Sequence, residues 1–484
     1  LILYIECSGH SFEQEMRILY KTEIVKMEMR DIPGALGQVV SHIRREGWNI
    51  NKINVNKSND DGISFLEMEI EGTHSKLARV AHDLLSLDCV ISVSMLSDGK
   101  WEKSVKKRSE YEGILEEGEA TPIPQKKNGM LRILTVNPGA TSTKFAVYDD
   151  DTCVLQHVIR HEKRDLEACG SILNQKVLRK NCIMDILKAA KTDIKTIDAV
   201  SGRGGLLKPI ESGTYRINEK MLDDLQSATA SVHASALGAL IASEIANEAG
   251  IQAYVVDPVV VDELDRNAKL TGYPGIERES VFHALNQKAI ARRLADDIGK
   301  PYENSRFVIA HLGGGITVGA HRYGRVIDVN DALSGEGPFT PERTGSIPSV
   351  PLIKTCFSGE FTEQEMIDKV IRNGGMQGYL GTNDMKKVQR MINAGDEFAA
   401  LVLDSMAYQV SKEIGAMMAV LHGRADAIAL TGGLAYSNRF TGAIKERVDR
   451  FADVYVYPGE EEMLALLQGA KRVITGTEQA MQYE

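Results

Sequence analysis

Apolar runs of membrane-spanning length, surplus positive charge and patterned cysteines are all missing from this sequence. No run approaches the roughly twenty apolar residues that a membrane helix needs, and the apolar opening Leu1–Ile5 lacks a basic flank. The 67 Asp and Glu outnumber the 57 Lys and Arg, which gives a net charge of −10. Sequence-independent binding of nucleic acid needs an excess of Lys and Arg to neutralise the phosphates. We therefore expect a cytoplasmic protein with neither a membrane nor a nucleic-acid partner.

The six cysteines show no C-x-x-C pair and no spacing typical of a metal site. This scatter predicts reduced, mostly buried thiols and a reducing compartment. The positions are Cys7, Cys89, Cys153, Cys169, Cys182 and Cys356.

What is present is a globular composition and a chain long enough for several domains. The 484 residues are 43% hydrophobic and 26% charged, which predicts roughly three domains of ordinary size. The first, residues 1–97, has strand-like alternation at 22–29, 49–55, 63–70 and 90–95, and helical periodicity at 31–45 and 75–87. These elements predict a small βαββαβ domain.

The βαββαβ order, together with the D-x-P-G-x-L sequence at its first strand-to-helix turn, resembles the ACT domain. That family is a regulatory module that binds amino acids at this turn. The resemblance implies an amino-acid effector with ligand positions at Asp31, Gly34 and Leu36. A ferredoxin-like packing or dimerisation module with an empty turn is the alternative.

Residues 98–130 change character and carry runs of charge, few apolar residues and a Pro-Ile-Pro segment. This composition predicts a linker. Beyond it, residues 132–148 and 306–321 each read as strand, glycine turn, strand, which indicates a duplication. Long amphipathic helices predicted at 232–249, 280–298 and 397–421 make the architecture α/β.

Three glycine-rich segments end predicted strands in this region: NPGATSTK at 137–144, HLGGG at 311–315 and LTGG at 430–433. A single such turn is typical of a plain hairpin, but three in sequence predict a nucleotide site whose backbone N–H groups face phosphates. A P-loop is excluded because Lys144 is followed by strand-like alternation rather than by a helix. The phosphates are therefore expected on a β-hairpin. Lys144 is either a phosphate ligand or an ordinary surface lysine.

Further motifs make a resemblance specific. They are SGRGG at 201–205, VDPV at 256–259, SVFHALNQ at 280–287, GPFTPERTG at 337–345, TGGLAYS at 431–437 and PGEEEM at 458–463. With the glycine segments, they resemble the acetate and sugar kinase, Hsp70 and actin superfamily, and within it the butyrate kinases of the acetate kinase family.

The resemblance implies a two-lobed, duplicated actin-like ATPase fold behind the βαββαβ domain. Lobe I would comprise residues 131–258, completed by 463–484, and lobe II residues 259–462. The implied reaction is reversible phosphoryl transfer from ATP to the carboxylate of a short-chain fatty acid, butyrate in this case, with Mg²⁺. A homo-oligomer is also expected.

The same resemblance assigns catalytic roles. Arg203 and Arg343 would hold the acid and the migrating phosphoryl group, and a planar guanidinium suits those oxygens. His283, interpreted as lying on the first turn of a helix, would donate a hydrogen bond to the phosphoryl group. A carboxylate is already an anionic nucleophile, so no strong base is needed. Gln287 stands where the acetate branch has a second histidine, which favours a longer acid.

Asp257 would orient Mg²⁺ or one arginine, and Asn137 and Glu462 would lie near the metal through water. Glu462 is chosen from three adjacent glutamates by motif register alone, and such a cluster also suits a helix N-terminus. The remaining nucleotide and phosphate positions are Gly139, Thr141, Thr143, Lys144, His311, Gly313, Gly314, Gly315, Gly432 and Gly433.

Other activities stay open at this point. A branched-chain or other short-chain acyl kinase would use the same residues. A sugar kinase would need a base for a hydroxyl acceptor, which Asp257 could supply. A non-catalytic, nucleotide-dependent chaperone or sensor is the alternative from a different class.

Overall fold

A computed structural model describes residues 20–30, 36, 39, 40, 43, 49–57, 63–73, 84, 90–97, 100–106, 123–227, 234–331 and 333–484. The chain divides into two compact units, Leu1–Glu116 and Glu117–Glu484. In the described part of the chain, no helix is both long and apolar enough to cross a membrane.

The first unit contains a five-stranded antiparallel sheet in the order β2-β3-β1-β4-β5. Alternation along β1 and β3 sends one set of apolar side chains, such as Val25 and Met68, to a common buried face. The helical residues Val39 and Ile43 pack on that face. The strands are β1 (Tyr20–Arg30), β2 (Asn49–Lys57), β3 (Ile63–Thr73), β4 (Val90–Ser97) and β5 (Lys100–Lys106).

Strand β5 lies inside the segment that we interpreted as a linker. It pairs with β4, placing Trp101 opposite Leu96 and Val105 opposite Val93. Trp101 and Val105 are separated by three polar residues that include Lys103. The sequence therefore showed no alternation of apolar and polar residues that would have predicted this edge strand. Of the predicted effector positions, Asp31 and Gly34 lie outside the described residues, and Leu36 is helical and 39% exposed.

The second unit contains two sheets built to one plan. The first has the order β10-β11-β9-β6-β7-β8 and the second β14-β13-β12-β15-β16. In each, three antiparallel strands (β8-β7-β6 and β14-β13-β12) continue into two parallel ones (β9-β11 and β15-β16). The predicted duplication is thus present, with β10 as an addition.

The strands of this unit are β6 (Arg132–Pro138), β7 (Ser142–Asp149), β8 (Thr152–Arg160), β9 (Ala199–Gly202), β10 (Thr214–Arg216), β11 (Gln252–Val256), β12 (Arg306–Leu312), β13 (Ile316–Arg322), β14 (Arg325–Val329), β15 (Ala427–Gly432) and β16 (Val454–Pro458). The helices are α1 (Lys163–Ala168), α2 (Gln175–Ala189), α3 (Glu219–Ser227), α4 (Ala236–Ala249), α5 (Arg266–Lys269), α6 (Ala284–Asp297), α7 (Ser349–Cys356), α8 (Glu363–Ile371), α9 (Gly375–Leu380), α10 (Met385–Asn393), α11 (Glu397–Val420), α12 (Asn438–Val448) and α13 (Glu462–Ile474). Short 3-10 turns span Ile194–Thr196, Tyr302–Asn304 and Gly433–Tyr436.

Two helices join the halves. The C-terminal helix α13 packs on the first sheet through Leu467 and Ala470, and α6 packs on the second through Ile290 and Leu294. The two helices also share an apolar cluster with each other. Because both begin at the junction of the sheets, residues at their N-termini and at the strand ends of both halves are brought together.

The cysteines differ from expectation in their burial. The four described ones are free thiols, as expected, but Cys153 and Cys356 are exposed and the other two are half-buried. Cys153 lies on β8 at the edge of its sheet, and Cys356 ends the exposed helix α7, so neither position reaches the core. The prediction of mostly buried thiols was wrong for these four.

Candidate active site

The segment NPGATSTK forms a hairpin between β6 and β7. Asn137 pairs with Lys144 across the strands, and the N–H of Gly139 donates to the carbonyl of Ser142 at 2.8 Å. Lys144 therefore lies in a strand, as expected, and is exposed beside the turn. Thr141 is also exposed, whereas Thr143 is buried.

A buried arginine that the sequence did not single out organises this turn. Arg179, on α2, is 0% exposed and donates through Nη1 to the carbonyls of Gly139 and Ser142 at 2.9 and 2.8 Å. Nη1 also donates to Oγ1 of Thr143 at 3.0 Å, and Nη2 to the carbonyl of Ala140 at 2.9 Å. The described residues place no carboxylate on this guanidinium, so its positive charge lies directly beneath the turn. The one signal in the sequence is its spacing, four residues before Ile183 and eight before Leu187, which places it on the buried face of α2.

Glu462, Asn137 and Arg203 form a compact cluster. Nδ2 of Asn137 donates to Oε2 of Glu462 at 2.6 Å, and Nη1 of Arg203 donates to the same oxygen at 3.0 Å. Glu462 is 4% exposed. Burial opposes its ionisation, but Arg203 and the Asn137 hydrogen bond outweigh this and lower the pKa of Glu462. The carboxylate thus fixes the arginine. The Nε–H of Arg203 is buried with no hydrogen-bond partner among the described residues.

The structure separates the three adjacent glutamates. Glu462 begins α13 and holds Arg203, whereas Glu461 pairs with Arg293. An oxygen of Glu460 lies 3.7 Å from Nε2 of His311. Burial, and then repulsion from Glu462, raise the pKa of Glu460. Of the three glutamates, Glu462 is the one that contacts both Asn137 and Arg203.

The two histidines stack on each other. The ring centroids of His283 and His311 are 3.8 Å apart at an interplanar angle of 11°. His283 occupies the N-cap position of α6, one residue before the helix rather than on its first turn. Burial, then His311 and Arg203, lower the pKa of His283 well below 6.5. Burial lowers the pKa of His311 to about 4. Both imidazoles are therefore neutral at pH 7.

Gly315 joins the second glycine turn to these groups. A Cβ at this position would collide with Nη1 of Arg343 and lie 3.3 Å from Cε1 of His283. The carbonyl of Gly314 accepts a hydrogen bond from Oγ1 of Thr340 at 2.7 Å. Glycine thus lets Arg343 and His283 approach the backbone, and a side chain at this position would displace the guanidinium of Arg343. Arg203, Arg343 and His311 all lie within electrostatic reach of His283.

Asp257 is not part of this cluster. Its Oδ1 accepts from Oγ of Ser212 at 2.6 Å and from the N–H of Gly213 at 2.9 Å, and its Oδ2 accepts from Arg292 at 3.4 Å. Burial opposes ionisation, but Arg292 and the other donors prevail and lower the pKa of Asp257. Its φ of 36° is strained for a residue with a side chain. The next residue, Pro258, packs against Gly204 beside Arg203.

The third glycine segment ends β15. Gly432 has a φ of 92°, and a Cβ there would collide with the backbone of Leu312 on β12. Gly433 is exposed and has open space where a Cβ would project, which leaves room for a nucleoside. Gly313 lies against the ring of His311. The second and third glycine segments are thus adjacent at the ends of paired parallel strands.

Direct metal ligands are few in this arrangement. The described part of the chain contains no group of three or more His, Cys, Asp or Glu side chains that could hold a metal ion. Asp257 already uses both carboxylate oxygens on protein donors. Glu462 is the acidic side chain that accepts a hydrogen bond from Asn137 of the hairpin. These residues fit Mg²⁺ that keeps most of its water and phosphate ligands.

Comparison with known proteins gives matches in part of the sequence and in the fold. Residues 267–480 match the model of the Acetokinase family. The structure is similar to acetate kinase from Porphyromonas gingivalis, with a TM-score of 0.60 and 17% identity over 70% of this chain and 99% of that one. It is also similar to a propionate kinase from Francisella tularensis subsp. tularensis SCHU S4 (TM-score 0.58, 19% identity, 71% and 100%). Acetate kinase from Entamoeba histolytica gives a TM-score of 0.58 at 18% identity (70% and 99%). The predicted duplicated α/β fold is confirmed.

Proposed function

We propose that this chain is an acyl kinase that transfers the γ-phosphoryl group of ATP reversibly to a short-chain fatty acid, with butyrate as the expected acid. The observation that carries the proposal is the meeting of Arg203 and Arg343 with two neutral histidines beside the glycine turns. Two cations suit the meeting of a carboxylate and a triphosphate, which repel each other. The match of residues 267–480 supports the same class of reaction.

The chemistry follows from the charge of the acceptor. A carboxylate oxygen attacks the γ-phosphorus, a new P–O bond forms, the bond to the β-phosphate oxygen breaks, and ADP leaves. No proton has to be removed from the nucleophile, so neutral His283 serves as a hydrogen-bond donor to the phosphoryl oxygens rather than as a base. Arg203 and Arg343 offset the negative charge that gathers between acid and nucleotide.

Mg²⁺ would offset the charge of the triphosphate. We propose that Asn137 and Glu462 contact its water ligands, while Glu462 also holds Arg203 in position. Thr141 and Lys144, both exposed at the hairpin, would contact the phosphates, with the exposed Gly433 beside the nucleoside. These assignments rest on the placement of the side chains around the two halves.

Asp257 acts in this proposal through the backbone rather than on the metal. Its carboxylate is held by Ser212, Gly213 and Arg292, and the turn it stabilises packs Pro258 against Gly204, next to Arg203. An engaged carboxylate of lowered pKa is also a poor base for a sugar hydroxyl. That observation favours a carboxylate acceptor over a sugar.

The test is a hydroxamate assay, which traps acyl phosphates, across straight and branched acids of increasing length. ATP consumption with a panel of sugars runs in parallel. We expect acyl phosphate with butyrate and a preference that falls away for acetate. A best substrate that is branched would replace butyrate and keep the reaction. Phosphorylated sugar, or nucleotide binding with no acyl phosphate from any acid, would refute the proposal.

Replacement of the two arginines tests their roles. We expect Arg203→Ala and Arg343→Ala each to fold and to lower kcat at least about a hundredfold, equivalent to about 2.7 kcal/mol of lost transition-state stabilisation. Arg439→Ala is the matched control, because Arg439 forms an exposed pair with Asp404 and is expected to keep its rate. Near-normal rates in both active-site variants would contradict the assignment.

For the first unit we propose an ACT-like regulatory role. The support is the antiparallel sheet with neighbouring strands β2-β3-β1-β4 and the D-x-P-G-x-L sequence at residues 31–36. Calorimetry of the full chain with each of the twenty amino acids, followed by kinase assays with any that bind, tests this. If none binds, the unit is a packing or dimerisation module, and the oligomeric state in solution with and without residues 1–116 then tests that role.

A further inference from the structure

A line of buried polar groups leads from the second sheet to His283. We call it the polar chain, and its members are Tyr302, His321, Gln287, Thr317 and His283. All except His283 are buried, with His321, Gln287 and Thr317 at 0% exposure. Apart from His283, the members of the polar chain have no part in the proposed phosphoryl transfer, so that reaction alone does not explain why they are buried there.

The orientation of the Gln287 amide is fixed by a backbone carbonyl. Its Nε2 lies 3.0 Å from the carbonyl oxygen of Thr317, an atom that only accepts hydrogen bonds. The reverse orientation would set two oxygens against each other. Oε1 of Gln287 therefore faces Nε2 of His321, at 3.0 Å, and that nitrogen must carry a proton.

The rest of His321 is consistent with this direction. Burial lowers the pKa of His321 well below 6.5, so its ring is neutral and its other nitrogen, Nδ1, is an acceptor. The hydroxyl of Tyr302 lies 2.7 Å from Nδ1 and donates to it. Burial raises the pKa of Tyr302 well above 10, which keeps that proton in place.

The same direction continues to the active site. Nε2 of Gln287 donates to Oγ1 of Thr317 at 2.8 Å, so this hydroxyl is already an acceptor. Within the described part of the chain, the one other side-chain partner of Oγ1 is Nδ1 of His283, at 3.0 Å. A fully buried hydroxyl must place its proton on that nitrogen or leave it unsatisfied. Nδ1 of His283 is then an acceptor.

We propose that the polar chain fixes His283 as the neutral tautomer that carries its proton on Nε2, and that Gln287 and Thr317 are positioning residues for it. The assignment of the tautomer does not depend on the proposed function, whereas its role in phosphoryl transfer rests on it. Nε2 makes no hydrogen bond with the described residues, and the edge of the ring faces Gly315 and Arg343. The tautomer thus turns an N–H, rather than a lone pair, toward the phosphoryl site.

The polar chain also gives Gln287 a structural role that its position in the sequence did not indicate. The resemblance relates this residue to the length of the acid. Its side chain instead spans from His321 to Thr317, on the side of α6 that faces β13. It needs both an acceptor and a donor, which an amide supplies from one planar group.

The first test does not depend on activity. Long-range ¹H–¹⁵N correlation spectra of ¹⁵N-histidine-labelled full-length protein report which ring nitrogen carries the proton, and a His283→Gln sample assigns the His283 signals. We expect His283 and His321 both to be protonated on Nε2 at pH 7. Protonation of His283 on Nδ1, or an even mixture of tautomers, would overturn the inference whatever the enzyme catalyses.

The second test uses the pair Thr317→Val and Thr317→Ser. Valine keeps the shape but removes the hydroxyl, so the His283 spectrum should become a mixture and kcat should fall about tenfold to a hundredfold, with KM for ATP and acid changed less than threefold. Serine should restore both the spectrum and kcat. A valine variant with a wild-type spectrum would refute the inference. If the wild-type protein has His283 protonated on Nε2 but shows no acyl kinase activity, only the proposed function is refuted.

Discussion

Replacing Arg179 by methionine is the sharpest perturbation of the phosphate hairpin. The four N–H groups of Nη1 and Nη2 reach five acceptors, which are three backbone carbonyls of the turn and the side chains of Thr143 and Gln175, while Nε–H is buried without a partner among the described residues. Methionine keeps much of the length and apolar contact of the buried stem but none of the donors or the charge. The variant therefore separates what the cation does from what its volume does.

The expected loss can be worked from these contacts. At about 1 kcal/mol net for each donating N–H group, the four groups give about 4 kcal/mol. Burying a cation without a carboxylate partner is unfavourable, and its relief offsets part of that sum. We expect Arg179→Met to lower the free energy of unfolding by about 3 kcal/mol. Because the charge lies under the turn, we also expect KM for ATP to rise about tenfold, equivalent to about 1.4 kcal/mol.

Urea unfolding and steady-state kinetics with varied ATP measure the two effects. Lys180→Met is the matched control. Lys180 follows Arg179 on the same helix and forms surface ion pairs with Glu244 and Glu248, so its replacement should lower the free energy of unfolding by less than about 1 kcal/mol. Arg179→Lys keeps the charge with at most three donors and should fall between the wild type and Arg179→Met. An unchanged unfolding midpoint together with an unchanged KM for ATP in Arg179→Met would refute this account of the turn.

Three further perturbations follow from other contacts. Gly315→Ala should lower kcat about a hundredfold without unfolding the chain, since its methyl group displaces the guanidinium of Arg343, and steady-state kinetics measures this. Lys288→Met should cost about 3–5 kcal/mol in urea unfolding, because it leaves the buried carboxylate of Glu263 without its cation, and adding Glu263→Gln should recover part of the loss. Burial lowers the pKa of His161 to about 4, so the unfolded chain binds the extra proton first, and the free energy of unfolding should fall from about pH 6.5 toward pH 4, less steeply in His161→Gln.

Each of these has an outcome that contradicts it. Gly442→Ala, within helix α12 and with open space around it, is the control for glycine substitution and should keep its rate. A double variant at Lys288 and Glu263 that is less stable than Lys288→Met alone would show that the pair is not the source of the loss. Equal pH profiles for the wild type and His161→Gln would show that His161 titrates at the same pKa in both states.

Periodicity and turn motifs in the sequence predicted much of the fold correctly. Alternation located β1 to β4 of the first unit and the hairpins β6-β7 and β12-β13 of the second, and the similarity of those two hairpins indicated the duplication that the two sheets show. Strand-like residues after Lys144 excluded a P-loop, because a β-hairpin and a helix N-terminus need different periodicity. The edge strand β5 was missed because its lysines resemble a solvated linker.

Motif register placed Asn137, Arg203, His283, Arg343 and Glu462 in one candidate site, and the structure brings these residues together. It could not place Asp257, whose partners Ser212 and Arg292 come from distant parts of the chain. A carboxylate binds the hydrogen-bond donors that the fold brings near it. The spacing of residues along the sequence does not show which donors those are.

The sequence by itself determined the kinds of chemistry available: turns with free N–H groups, arginines, histidines and a duplicated α/β frame. Only the tertiary structure decided how those groups are oriented. Arg179 lies 40 residues from Gly139 along the chain yet supports its turn, and the proton direction along the polar chain depends on one backbone carbonyl of Thr317. Hydrogen bonds depend on distance and direction in space, so these partnerships exist only once the sheets and helices have packed.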